Sequence, residues 1–274
     1  MSVNLYKYSF VPGKSLSKSN SETFESFLSY CSDFWSKSYK GKYDRRQTEY
    51  FDFYKVKTEK RVQDFLSHTS IADYVTINQI PVKNLNLLLK EIDWSSLSCA
   101  ELVRCHGDLH HENVVCTENG GFTLLDWRSD MAGFTDEYGD LYYDLAKILH
   151  GIIVSHESVN SGSFEVIEGD KITRRIKPRE EYRLLLDIFL DFLTLKKFNT
   201  QRVLIVTSLI YLNIAALHHD NYNKFLFYLG HLMLNSVSSD RKLSFIEELF
   251  DVDDWIFKSD RKSTRLNSSH EWIS

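Results

Sequence analysis

The chain has 274 residues, 43% hydrophobic and 14% aromatic, enough for one large domain or two small ones around a real core. A formal net charge of −5 argues against a nucleic-acid-binding surface; no apolar run reaches bilayer length and no signal peptide opens the chain, so no membrane partner is expected. Four cysteines, Cys31, Cys99, Cys105 and Cys116, show neither CxxC nor metal spacing, and the expected setting is cytoplasmic with reduced thiols.

In chain order, residues 5–11 alternate as an aromatic strand that breaks at Pro12 and Gly13. Ser19 and Glu22 read as a capping box for a helix with Phe24, Phe27, Leu28, Cys31, Phe34 and Trp35 at helical spacing. Residues 36–46 are polar and basic, a solvated connection. A second helix is expected at 47–66, with Phe51, Tyr54, Val62, Phe65 and Leu66 turned inward and a charged outer face that includes Lys55, Lys57, Lys60 and Arg61. A short helix at 84–92 leads to the apolar pair Leu102 and Val103.

The densest chemical signal follows. His106-Gly107-Asp108-Leu109-His110-His111-Glu112-Asn113 reads as H-x-D-x-x-x-x-N, and Asp126 of Leu124-Leu125-Asp126-Trp127 comes thirteen residues after Asn113. Phosphoryl transfer explains that order: one carboxylate beside the attacking hydroxyl, Asp108, and two oxygen ligands for Mg²⁺, Asn113 and Asp126. Val114 to Cys116 and Phe122 to Leu125, joined through Asn119-Gly120-Gly121, read as a hairpin that sets Asn113 opposite Asp126. His106 is read as a buried scaffold residue. His110 and His111 are not read as a zinc pair, because adjacent histidines point apart.

Beyond the hairpin, a helix is expected at 140–154 with Asp140 as its N-cap, then short β runs at 164–167 and 171–176 near the acceptor pocket. Helices are expected at 180–197, 200–218 and 221–237, the middle one apolar nearly all round and therefore central. His218 and His219 fall at its end, where the helix dipole favours a charged imidazole. A last helix at 243–250 runs into Asp251-Val252-Asp253-Asp254-Trp255, either a solvated terminus or one wall of a pocket for a cationic acceptor.

The stretch HGDLHHENVV with LLDW resembles the aminoglycoside phosphotransferase and choline kinase family, whose loop reads HGDLH-x-x-N and whose Asp-Trp stands where protein kinases carry Asp-Phe-Gly; YGDLYYDLAKILHG is similar to its next helix. The resemblance implies an α+β, mostly helical C-terminal lobe of a protein-kinase-like fold with a small catalytic β-hairpin. Asp108 would be the catalytic base, Asn113 and Asp126 the Mg²⁺ ligands, and His106 and Asp140 supports of the loop. Asp144 matches a second acidic position of that helix, also structural. ATP would be the donor and an amino alcohol, sugar or aminoglycoside hydroxyl the acceptor.

Residues 1–17 would then be the last N-lobe strand and hinge, with Phe10 and Val11 at the adenine, and 18–259 the helical lobe. No glycine-rich loop, phosphate-binding lysine strand or helix glutamate can be placed before residue 5. The resemblance thus implies a fragment, inactive alone, with an upstream N-lobe or nucleotidyltransferase domain missing; the segment at 53–61 is similar to relatives found beside sugar nucleotidyltransferase domains. Residues 260–274, opening DRKSTRLNSSH, look like a translated sequencing adapter, a non-biological tail that should pack against nothing. Two other readings stand: a non-catalytic kinase-like binding module, and a metal-dependent phosphoesterase. The latter rests on echoes of dinuclear hydrolase motifs in Asp108-Leu109-His110 and Gly139-Asp140, without the later Gly-Asn-His element.

Overall fold

A computed structural model describes residues 10–40, 44–71, 73–134, 137–169, 171–177 and 181–238. Residues 5–9 of the expected strand, the helix at 243–250, the acidic group at 251–255 and the tail at 260–274 lie outside these residues. The described chain is mostly helical, with small antiparallel sheets.

Phe10 is exposed and neither it nor Val11 lies in a strand; the strand begins after the break, as β1 (Gly13–Ser15). A 3₁₀ turn (Leu16–Lys18) leads to α1 (Ser21–Trp35), which buries all six of the residues its spacing predicts. Its cap is Asn20 rather than a Ser19–Glu22 box: Asn20 Oδ1 accepts from the Thr23 backbone N at 3.0 Å and from the Thr23 hydroxyl at 2.7 Å. Ser19 is occupied one residue too early, closing the 3₁₀ turn through its N–H to Leu16 O.

The second helix is longer than expected and carries a π turn: α2 (Asp44–Phe51), the π turn (Asp52–Val56) and α3 (Lys57–His68). Tyr50, Tyr54, Thr58, Val62 and Phe65 are buried. Leu66 is exposed instead, because adjacent residues diverge by about 100° on a helix and Phe65 takes the inward position, its ring stacked on Phe227 at 4.5 Å.

The chain continues through β2 (Thr76–Ile77), β3 (Ile80–Pro81), α4 (Leu85–Glu91) capped by Asn84, α5 (Trp94–Leu97) and β4 (Leu102–Arg104). A 3₁₀ turn (His111–Asn113), β5 (Val114–Thr117) and β6 (Phe122–Leu124) form the predicted hairpin, and β1 adds to its free edge to give the order β1-β5-β6. Next come β7 (Tyr138–Asp140), α6 (Leu141–Ile153), α7 (His156–Asn160), and the hairpin of β8 (Phe164–Ile167) and β9 (Thr173–Ile176). The chain ends in α8 (Tyr182–Leu195), α9 (Thr200–Ala215) and α10 (Asp220–Ser238).

Helix α9 is the centre, packed against α10, α6 and α3, with Val203, Val206, Leu209, Ile210, Tyr211 and Leu212 buried. Each such side chain contributes about 1.5–3 kcal/mol by leaving water. Helices α9 and α10 approach so closely that a Cβ at Gly230 would lie 2.9 Å from both Leu212 Cγ and Ser208 O. The helix stops at Ala215, short of the expected end, and burial holds the His218 imidazole below its usual pKa, so it is not the dipole-stabilised cation expected; its ring packs edge-on against Tyr222. Among the described residues no helix is long and apolar enough to cross a membrane.

Candidate active site

Strand β4 delivers the chain into the His106–Asn113 loop, and its antiparallel pairing with β7, Leu102 opposite Asp140, brings the start of α6 beneath that loop. The consequence is a clamp centred on Asp144. This fully buried carboxylate accepts from the backbone N–H of His106 (2.9 Å) and Gly107 (2.8 Å), and from Trp35 Nε1 on α1 (3.1 Å). Asp140, the expected loop support, is turned elsewhere. It caps α6 through the Tyr142 N–H and accepts from Glu101 N, the Tyr54 hydroxyl at 2.7 Å and Arg202 at 2.9 Å. The loop is held one helical turn further on than expected.

His106 is buried and its tautomer follows from its partners. Nδ1 accepts from Asp108 N at 3.2 Å, so Nε2 carries the proton and donates to Leu125 O at 2.7 Å. The ring thereby ties the loop to the strand end that carries Asp126, and it lies against Trp127 at 5.0 Å. Gly107 has φ +78°, and a Cβ there would sit 2.7 Å from Arg128 Cβ, so both its backbone and its surroundings require glycine.

Asn113 donates from Nδ2 to Asp108 O at 2.9 Å, which leaves its Oδ1 as the atom a metal would take. The hairpin pairs Val114 with Leu124, and Leu125 N donates to Asn113 O at 2.8 Å, so the residue opposite Asn113 is Leu125 and Asp126 stands one further along. Asp126 is exposed at φ +52°, a left-handed conformation that costs a non-glycine residue about 1–3 kcal/mol and tends to mark functional positions. The donors at Asn113 and Asp126 are both oxygens, which fit a hard cation such as Mg²⁺ that completes its shell with water and phosphate oxygens.

Asp108 and Asp126 open into one cavity of ≈ 230 Å³ between α3, α6 and α9. Lys147 of α6, three residues past Asp144, lies 2.6 Å from Asp108 Oδ1. Burial alone would raise the Asp108 pKa; the Lys147 charge and hydrogen bond, with smaller contributions from His110 and His106, hold it below the ordinary carboxylate value. His110 lies 3.9 Å from Asp108, yet burial first, then the neighbouring Lys147 and His156, lower its pKa to about 4 against the pull of Asp108. At neutral pH it is a neutral neighbour. Among the described residues no cluster of three or more His, Cys, Asp and Glu side chains could hold a metal.

The same cavity is lined by Lys57, Arg61 and Arg128, so part of the charged face of α3 expected to meet solvent turns inward instead. Lys57 Nζ sits 4.1 Å above the Phe53 ring. Burial, and then the positive charges of Arg128, Arg61 and Lys147, push its pKa down to about 7, with Asp130 opposing. Lys147 was open to sequence reasoning as a lone cation on an otherwise apolar helix face; Lys57 and Arg61, four residues apart, were visible only as an ordinary amphipathic pattern.

A family model described as the phosphotransferase enzyme family matches residues 48–162, which span α2 through α7 and contain the His106–Asn113 loop and the hairpin. The match supports the aminoglycoside phosphotransferase resemblance and phosphotransferase chemistry in general. No curated protein and no solved structure matches the chain.

Proposed function

We propose that this chain carries the catalytic loop of an ATP- and Mg²⁺-dependent O-phosphotransferase acting on a hydroxyl of a small molecule. The observation that carries the reading is the shared cavity of Asp108 and Asp126, on a loop clamped from below by Asp144. Asp108 accepts a hydrogen bond from the acceptor hydroxyl and orients it. With its pKa held low it is a weak base, which suits a transfer whose transition state needs positioning more than early deprotonation. The acceptor oxygen forms a new bond to the γ-phosphorus, the bond to the β–γ bridging oxygen breaks, ADP leaves with that electron pair, and the hydroxyl proton passes through Asp108 to solvent. Asn113 Oδ1 and Asp126 would hold Mg²⁺, which supplies charge neutralisation on the phosphates when bound. Phe10 and Val11, just before β1, remain the proposed adenine contacts.

The phosphoesterase reading loses its second carboxylate, because Asp140 is fully buried with both oxygens engaged and does not line the cavity of Asp108. The test is calorimetry of ATP binding with and without Mg²⁺, on the native chain and on Asp126→Asn. Metal-dependent binding lost in the variant supports the proposal. Binding indifferent to Mg²⁺ and to the substitution would sink it.

A further inference from the structure

The cavity's walls carry more positive charge than the transfer itself uses. Four cations, Lys57, Arg61, Arg128 and Lys147, face two carboxylates, Asp108 and Asp126, in a chain whose overall charge is −5. Lys147 is matched by Asp108, and Asp126 is reserved for the metal. Among the described residues neither Lys57, Arg61 nor Arg128 forms an ion pair. Arg128 donates to Asp130 O and to the Tyr143 hydroxyl, and its guanidinium lies 5.2 Å from the Phe53 ring centre. Asp130 is an acidic neighbour of Lys57 but forms no ion pair with it, and three cations so placed repel one another unless an anion joins them.

A second observation is independent of charge. Asn213 of α9 lines the same cavity and spends its Nδ2 on Thr58 Oγ1 and Leu209 O, both at 2.7 Å. Its Oδ1 is buried with no hydrogen-bond partner among the described residues. A buried carbonyl left this way is unfavourable until a hydroxyl donates to it. Phe53 and Tyr143 supply aromatic faces beside it.

We infer that the acceptor is an anionic polyol, a sugar or sugar-like alcohol bearing a phosphate or carboxylate: Lys57, Arg61 and Arg128 hold the acid group, Asn213 Oδ1 receives a hydroxyl, and a second hydroxyl meets Asp108. The inference rests on the phosphotransferase reading for what happens to the acceptor, but not for whether it binds. It excludes cationic acceptors, the amino alcohols and aminoglycosides, because the cavity would repel them.

The test is binding to the full chain without nucleotide, by calorimetry, using glucose 6-phosphate, glucuronate, glucose and choline as probes. One or both anions should bind at least about tenfold tighter than glucose, the equivalent of one charge-assisted hydrogen bond, and choline should not bind. Glucose 6-phosphate preferred over glucuronate assigns the phosphate, and the reverse assigns the carboxylate. Lys57→Gln with Arg61→Gln should remove the preference for anions while leaving glucose binding unchanged, and Arg61→Lys should restore part of it. Asp126→Asn should leave anion binding intact or strengthen it, so loss of Mg²⁺-dependent nucleotide binding in that variant reports on the phosphotransferase reading separately. Choline binding as tightly as the anions, or no preference of the native chain for either anion over glucose, would overturn the inference. So would Mg²⁺–ATP displacing the anion competitively, since the cations would then belong to the nucleotide.

Discussion

Substituting Asp144 measures how far the active-site loop depends on a single buried carboxylate. Its Oδ2 accepts from His106 N and Trp35 Nε1, and its Oδ1 accepts from Gly107 N. Asp144→Asn keeps the shape, and in its better orientation places the amide oxygen at the two-donor position and the NH₂ against the Gly107 N–H. One bond is lost and two donors face each other without an acceptor, a cost of about 2–4 kcal/mol on the scale of buried unsatisfied groups. Asp144→Ala strands all three donors and should cost roughly 3–6 kcal/mol, a large part of the total stability of an ordinary domain. Trp35→Phe removes a single donor together with its need for an acceptor, and should cost only about 1 kcal/mol. Urea unfolding followed by far-ultraviolet circular dichroism would rank the three. A change below about 1 kcal/mol for Asp144→Asn would refute the clamp, because a half-satisfied buried network cannot be that cheap.

Three further outcomes follow from the geometry. Lys147→Met removes the charge that offsets burial at Asp108, so the Asp108 pKa should rise above its ordinary value when its carboxyl is followed by NMR; an unmoved titration would mean that Lys147 does not set it. The fully buried Arg174 guanidinium has no hydrogen-bond partner among the described residues, and burial lowers its pKa to about 9; Arg174→Met should be neutral or stabilising by up to about 4 kcal/mol, read as an unchanged or raised denaturation midpoint, and a lowered midpoint would point to a counter-charge. Anion binding should be stronger at pH 6 than at pH 8, because Lys57 with a pKa near 7 is protonated in the first case and largely neutral in the second; Lys57→Gln should flatten that dependence, which is set also by Arg128, Arg61, Lys147 and Asp130 around it.

The parts of this architecture legible in the sequence are those specified locally. The α1 stripe from Phe24 to Trp35 follows from helical spacing, and the hairpin follows from Asn119-Gly120-Gly121 between two apolar runs. Asp140 as the cap of α6 follows from its place before an apolar helix. What escaped are interactions that close over long separations. Asp144 meets His106 across 38 residues and Trp35 across 109, and no spacing rule says which of two acids at the head of a helix will reach back to the loop. The π turn at Asp52–Val56 escaped because the residues there have ordinary helical character.

The sign of the acceptor's charge shows the same limit most sharply. The local clue, the acidic and aromatic group at 251–255, reads either as a solvated terminus or as one wall of a pocket for a cationic acceptor, and it lies outside the described residues. The cations that argue the opposite come from separate elements: Lys57 and Arg61 from α3, Arg128 from the loop after β6, Lys147 from α6. Each is unremarkable where it stands, since a charged residue on an amphipathic helix or loop is usually solvated. Only the packing of α3 and α6 against the apolar α9 turns them toward one cavity, where burial and mutual repulsion depress the Lys57 pKa. A surface arrangement of the same residues would leave Lys57 fully protonated at neutral pH. If Lys57 titrates near 7 when followed directly by NMR, the cluster is enclosed and short of counter-charge, and an anion is the ligand that relieves it; a Lys57 titrating near 10 would return these side chains to solvent and remove the electrostatic basis for an anionic acceptor.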